Sequence, residues 1–175
     1  MRGYYAGIGS RRTPSDILDL MERLATRLAS AGWRLRSGHA EGADQAFERG
    51  AAGHADLFLP WPGFNHRPKP VGRVHSTPTA SVYDIARDHH PAWGRLRDPV
   101  RAMMARNVHQ VLGWPGEPPS VFVVCWTPDG ATTAQEATQR TGGTGQAIRL
   151  ADHHGIPVLN LARQAHRARA EQHTR

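Results

Sequence analysis

Cysteine is almost missing from this chain. Cys125 is the single one among 175 residues, and it stands within the apolar run at 121–126. A lone thiol closes no disulfide and builds no zinc cage, so it reads as a buried thiol of a reducing compartment. Lysine is as scarce, with Lys69 alone. No apolar run approaches the ~20 residues needed to cross a bilayer, and no secretory leader is legible, so a cytoplasmic protein without membrane contact is expected. There is no internal repeat and no low-complexity tract. The eleven histidines include the adjacent pairs His89-His90 and His153-His154, but none has the spacing of a metal site, and no metal is expected.

Carboxylates are the minority charge: 15 Asp and Glu stand against 22 Lys and Arg, a net charge of +7. Such an excess attracts polyanions. Because nearly all of it is arginine, the chain is rich in planar forks that match phosphate oxygens in pairs. Part of the excess lies in the last stretch, at Arg163, Arg167, Arg169 and Arg175. The length suits one domain, assigned to residues 1–162, followed by a basic tail at 163–175 that reads as a fraying helix.

Strand and helix signals alternate along that domain. The apolar run 3–8 reads as a first strand. Thr13 can cap the following helix, Pro14 suits its first turn, and Ile17, Leu20, Met21, Leu24 and Leu28 recur at helical spacing before Gly32. Residues 33–37 read as a second strand, with a short helix up to Gly50 and a third strand at 55–59. The stretch 60–78 holds Pro60, Pro62, Pro68, Pro70 and Pro78, and reads as a long functional excursion near the strand ends. Helices follow at 80–90 and 100–112, broken by Pro91 and Pro99. Residues 121–126 (VFVVCW) read as a buried strand, and the polar segment 127–140 as a loop able to cover a site. Thr141, Gly142, Gly143, Thr144 and Gly145 then open a helix that Gly155 stops, before a final apolar run at 156–161. This alternation predicts an α/β Rossmann-like fold: a doubly wound parallel sheet of about five strands, in the order 3-2-1-4-5, with helices on both faces.

Ligands of such folds bind beyond the C-terminal strand ends, where the strand order reverses. Strands one and four flank that point, so Ser10, Arg11 and Arg12 should rim the crevice. The loops 7–12, 37–44 and 141–146 all fall there. A glycine loop leading into a helix presents free N–H groups and a positive dipole end, which suits a phosphate. Gly7-x-Gly9 has the start of a dinucleotide fingerprint. Arg12 occupies the place of the third glycine, and no acidic residue for a ribose follows the second strand, so no nicotinamide cofactor is expected. Nor is there an obvious nucleophile–base pair. Trp61, Phe64, Trp93, Trp114 and Trp126 are interleaved with Arg67, Arg73, Arg95, Arg97 and Arg101, a pattern in which bases stack while arginines follow a phosphate backbone. The competing reading puts Trp33 and Trp126 in the core and Trp93 and Trp114 against helix ends.

Four motifs in register, GIGSRRTP (7–14), SGHAEGAD (37–44), Arg106-Asn107 and TGGTGQAI (141–148), make the chain resemble DprA/Smf-like Rossmann proteins. Those belong to the SLOG group, with its YpsA-like and "Lonely guy" (LOG) branches. The chain looks especially like short phage or bacterial proteins of the DNA recombination-mediator type. The resemblance covers most of residues 3–161. It implies that Gly9, Ser10 and Arg11 contact a phosphate, and that Ser37, Gly38, Gly42 and Asp44 line the same pocket, with Asp44 starting a helix. It also implies that Arg106 and Asn107 point in from a neighbouring helix, and that the loop Thr141, Gly142, Gly143, Thr144, Gly145 completes the cradle.

The sequence departs from the LOG hydrolases. Their loop reads PGGxGTxxE, and its Glu serves catalysis; here Arg149 stands at that position and Thr141 replaces the leading Pro. Glu41 and Glu136 are the remaining candidates, each better read as solvated. The expected function is therefore binding of a phosphate-bearing, nucleotide-type ligand, foremost single-stranded DNA in a recombination-mediator role. It involves no cofactor and no assigned catalytic residue. The alternatives are a nucleotide-signal sensor or a LOG-type phosphoribohydrolase. DprA-like domains often dimerise, which leaves a homodimer open, with no interface legible in the sequence.

Overall fold

The computed structural model describes residues 1–66 and 68–174. Arg67 and Arg175, counted above among the cations of the excursion and the tail, lie outside the described residues. One parallel sheet organises the chain. Its strands are β1 (Gly3–Gly7), β2 (Trp33–Ser37), β3 (Ala55–Phe58), β4 (Arg73–His75), β5 (Phe122–Cys125) and β6 (Val158–Asn160), in the order β4-β3-β2-β1-β5-β6. Every neighbouring pair is parallel. The helices are α1 (Ser15–Ser30), α2 (Ala43–Ala51), α3 (Val82–Asp88), α4 (Asp98–Leu112), α5 (Thr144–His153) and α6 (Gln164–His173). Among the described residues no helix is long and apolar enough to cross a membrane.

The two-residue period of the strands divides the core. Tyr5, Leu35, Leu57 and Val124 point to one face and meet Ile17, Leu20, Met21 and Leu24 of α1 and Phe47 of α2. Ala6, Val123 and Cys125 point to the other face and meet α4 and α5 through Val108, Val111, Ile148 and Leu150. Both faces are covered, as a parallel sheet requires. Burial in this second layer raises the Cys125 thiol's pKa well above its ordinary value, so it stays protonated.

The expected order of strands holds, with one correction: there are six strands, not about five. The extra one, β4, lies inside the proline-rich excursion and pairs with β3 at the sheet edge. Its three residues show no buried alternation, and pairing is what makes them a strand. A second correction concerns Thr13. Pro14 takes the N-cap position of α1 with no side-chain cap, and the Thr13 hydroxyl donates instead to Ser10 O at 2.7 Å, closing the turn after β1. Pro99 sits in the first turn of α4, where its missing N–H is harmless, so it starts that helix rather than breaking one. The basic tail read as a fraying helix forms α6. It rests on α1 through an Arg167–Asp16 ion pair at 3.0 Å and the burial of Ala170.

Candidate functional site

The strand order reverses between β1 and β5, and their loops touch there. Ser10 N donates to Trp126 O at 3.2 Å, and Ser10 Oγ accepts from Arg12 N at 3.0 Å. These bonds fix the turn while leaving the Arg11 and Arg12 side chains exposed. The loop after β2 packs onto this turn through Gly42. Its φ is +84°, and a Cβ there would lie 2.8 Å from Ser10 O and 2.9 Å from the Arg11 Cα. Glycine is therefore required for the two backbones to meet.

Asp44, in the first turn of α2, organises the β2 loop. Its buried carboxylate accepts from Gly38 N at 3.2 Å, Ala40 N at 3.3 Å and Arg106 Nη1 at 3.3 Å. Burial raises its pKa, Arg106 lowers it, and the balance stands at about 6. Burial also lowers the Arg106 pKa, with Asp44 opposing. The Arg106 guanidinium lies across Gly38, where a Cβ would fall 1.0 Å from Nη1. Its Cζ is 5.8 Å from the Phe64 ring centroid, and its Nε is buried with no hydrogen-bond partner among the described residues.

Asn107, the next residue, reaches the other way. Its Nδ2 donates to Gln146 Oε1 at 3.2 Å and to Gly143 O at 3.5 Å. The adjacent pair Arg106-Asn107 thus joins the β2 loop to the glycine loop. Gly142 and Gly143 are exposed there, at the start of α5, and a side chain at Gly142 would meet only open space. Thr141 is buried and turned inward: its hydroxyl donates to Asp129 Oδ2 at 2.5 Å. Asp129 also accepts from the hydroxyls of Thr127 and Thr138, and these bonds outweigh partial burial, taking its carboxyl down to about 2. That carboxylate pins the 127–140 segment against the glycine loop.

The candidate ligand residues fall into two sets. Gly9, Ser10, Arg11, Gly42, Gly142 and Gly143 are at least partly open to solvent. Ser37, Gly38, Asp44, Arg106, Asn107, Thr141, Thr144 and Gly145 are buried behind them. Ser37 Oγ, for example, donates to Gly7 O at 2.9 Å and ties β2 to β1. Arg106 lies beneath Phe64 rather than projecting freely.

The excursion folds over this edge. His39, buried at φ +58°, pairs with Glu48 at 2.6 Å through Nδ1 and with Pro68 O at 3.0 Å through Nε2. Asn65 Nδ2 donates to His39 O at 3.2 Å. Burial pushes the His39 pKa down, but Glu48 and the backbone partners prevail and raise it. Phe64 is thereby held beside the Arg106 guanidinium, with Trp61 edge to face against it at 5.1 Å, and both rings are half-buried. His39, Glu48, Asn65, Asp129 and Gln146 were not singled out in the sequence. Asp129 carried one signal, the Pro-Asp-Gly turn after a strand, where Asp side chains bond nearby backbone groups.

The other interleaved aromatics are occupied elsewhere. Trp114 stacks with His75 at 4.2 Å and with Phe58 at 6.3 Å. Trp33 and Trp126 lean on the α1 side of the core, and Trp93 on the α4 side. Arg73 is paired with Asp56 and Glu117, and Arg101 with Asp98. One member of each adjacent histidine pair meets the other at the ends of α3 and α5: the His89 and His153 rings are 5.0 Å apart. Among the described residues no cluster of three or more His, Cys, Asp or Glu is placed to hold a metal ion. Glu136 is held by Arg163 at 2.6 Å and by Thr132, which take its carboxyl down to about 2, and Arg149 Nη2 donates to Ala137 O at 2.8 Å.

Fold and site together define a doubly wound Rossmann-like α/β protein with a composite polar crevice at its switch point. No protein-family model matches the chain, and no curated protein matches it. Among solved structures it is similar to DNA processing protein A from Helicobacter pylori, described for its single-stranded DNA binding mode. The TM-score is 0.57, the identity 19%, and the match covers 90% of this chain and 64% of that one. At that identity the likeness establishes the shared fold.

Proposed function

We propose that this protein binds single-stranded DNA along the C-terminal edge of its sheet, in a DprA-like recombination-mediator role. The observation that carries the reading is the Arg106-Asn107 bridge. One residue holds the β2 loop through Asp44, the next holds the glycine loop through Gln146 and Gly143, and Gly42 presses the first loop onto the turn of Arg11. Three loops distant in sequence become one surface with exposed guanidinium groups and an open helix start. The net charge of +7 and the similarity to a single-stranded DNA-binding protein support the same reading.

In this mechanism Arg11 and Arg12 meet backbone phosphates, and the N–H groups at the start of α5 take a further phosphate. The buried members, Ser37, Asp44, Asn107 and Thr141, hold those donors in place. Trp61 and Phe64 offer ring surface to a base. No bond is made or broken.

The test is fluorescence anisotropy with a labelled single-stranded oligonucleotide in a salt series, with and without excess mononucleotides. Binding should tighten with oligonucleotide length and weaken steeply with salt, and mononucleotides should compete poorly. In Arg11→Ala the salt slope should fall by about one, as for loss of one phosphate contact. Absence of binding at low salt would sink the reading, and full competition by one mononucleotide would replace it with a small-nucleotide sensor.

A further inference from the structure

The sheet face that carries α1 and α6 is incompletely covered. Between these helices, over β5 and β6, lies a cavity of about 830 Å³, remote from the strand-end crevice. Its floor is apolar, with Phe122, Val124 and Leu159, and Leu24 and Leu28 of α1 form one wall. The other wall is α6, a helix polar on all sides that buries only Ala170. Trp33 closes one end and packs edge-on against Phe122 at 5.1 Å. Val121 beside it is 52% exposed and extends the apolar floor outward.

The rim has one sign of charge. Arg2, Arg27, His166, Arg169 and His173 line it, and no carboxylate does among the described residues. Arg27 Nε donates to His173 O at 3.4 Å, so the two walls are linked at that end. The wall segments, 24–30 of α1 and 166–173 of α6, each run about two helical turns, or roughly 11 Å.

We infer that this groove docks an amphipathic helix of a partner protein, with an apolar stripe flanked by carboxylates. The floor takes the stripe, and Arg2 and Arg169 of the rim pair with the flanking acids. A second copy of this chain fits poorly. In a two-fold contact each basic rim would face itself, and each chain carries +7.

A synthetic helix of about 14 residues, with Leu at positions i, i+3, i+4 and i+7 and Glu on both flanks, tests this on the full chain. A counterpart carries Lys in place of every Glu. Titration is followed by tryptophan fluorescence, with Trp33→Phe locating the signal in the groove. The Glu helix should bind saturably to the wild type and about tenfold more weakly to Arg169→Glu, and the Lys helix should not bind. Three results would overturn the inference: no binding of the Glu helix, equal binding of both helices, or a sedimentation-detected dimer that Val121→Glu dissolves. Protection of the groove by dodecanoate without binding of the Glu helix would also overturn it, and would assign the cavity to small amphiphiles.

Discussion

Two arginines are buried on the α4 side of the sheet, and their surroundings differ in kind. Arg36, on β2, lies 3.7 Å over the Tyr4 ring. It donates to Pro118 O at 2.8 Å and to Glu117 at 3.0 Å. Glu117 also pairs with Arg73, Arg73 with Asp56, and Asp56 with Arg34 at 2.6 Å. Partial burial would raise the Glu117 pKa, but Arg73 and Arg36 outweigh it and hold the carboxyl below its ordinary range. Arg106 has one 3.3 Å bond to a carboxylate whose pKa has risen to about 6. The first arginine belongs to an interlinked ion network that closes one side of the sheet. The second is sparsely bonded beside a crevice. A buried charge whose partners are firmly ionised reads as architecture, and one whose partner is close to neutralising reads as a poised site.

The largest expected effect would break the first region. Arg36→Ala strips a buried partner from Glu117 and opens space over Tyr4, so the protein should lose about 3–5 kcal/mol in denaturant unfolding. Arg106→Ala should cost less stability, because Asp44 can take up a proton at little expense. Its effect should fall on function, with single-stranded DNA affinity down about tenfold or more, near 1.4 kcal/mol. If Arg106→Ala unfolds the protein as readily as Arg36→Ala, the contrast between the two regions is wrong.

Gly38→Ala sharpens the comparison further. Its methyl would displace the Arg106 guanidinium from Asp44 without removing any charge. DNA affinity should fall in the direction of Arg106→Ala, with circular dichroism unchanged at room temperature. The smallest effect concerns pH. The folded-state pKa of Asp44, about 6, lies above the ordinary 3.8, so the folded protein holds a proton that the unfolded chain releases in that interval. This contribution is complete below pH 4 and is lost as pH rises towards 6. Asp44→Asn should remove that slope, so wild-type stability relative to the variant should decline across the window. A flat difference would mean that Asp44 titrates normally.

Much of the fold could be read along the chain. The bounds of β2 are those expected, and α1 follows its Ile17–Leu20–Met21–Leu24 spacing, because local periodicity and glycine stops act over neighbouring residues. The position of the switch point followed from strand order alone. β4 could not be read, because an edge strand of exposed residues takes its form from the neighbour it pairs with. The inward turn of Thr141 was equally hidden, since it depends on Asp129 in a segment expected only to be a loop. The pairing of Arg106 with Asp44 joins residues 62 apart, and no local pattern records it.

By itself the sequence determined a basic, arginine-rich α/β chain whose glycine loops belong at the ends of parallel strands. Composition, hydrophobic period and turn chemistry are local quantities, and they suffice for that. Only the tertiary structure decided which loop residues face solvent and which stand behind them, that the excursion is clasped to His39, and that an apolar groove with a basic rim opens between α1 and α6. Each depends on which side chains meet across the sheet, and burial, hydrogen-bond partners and charge neighbours exist only once distant segments are packed together.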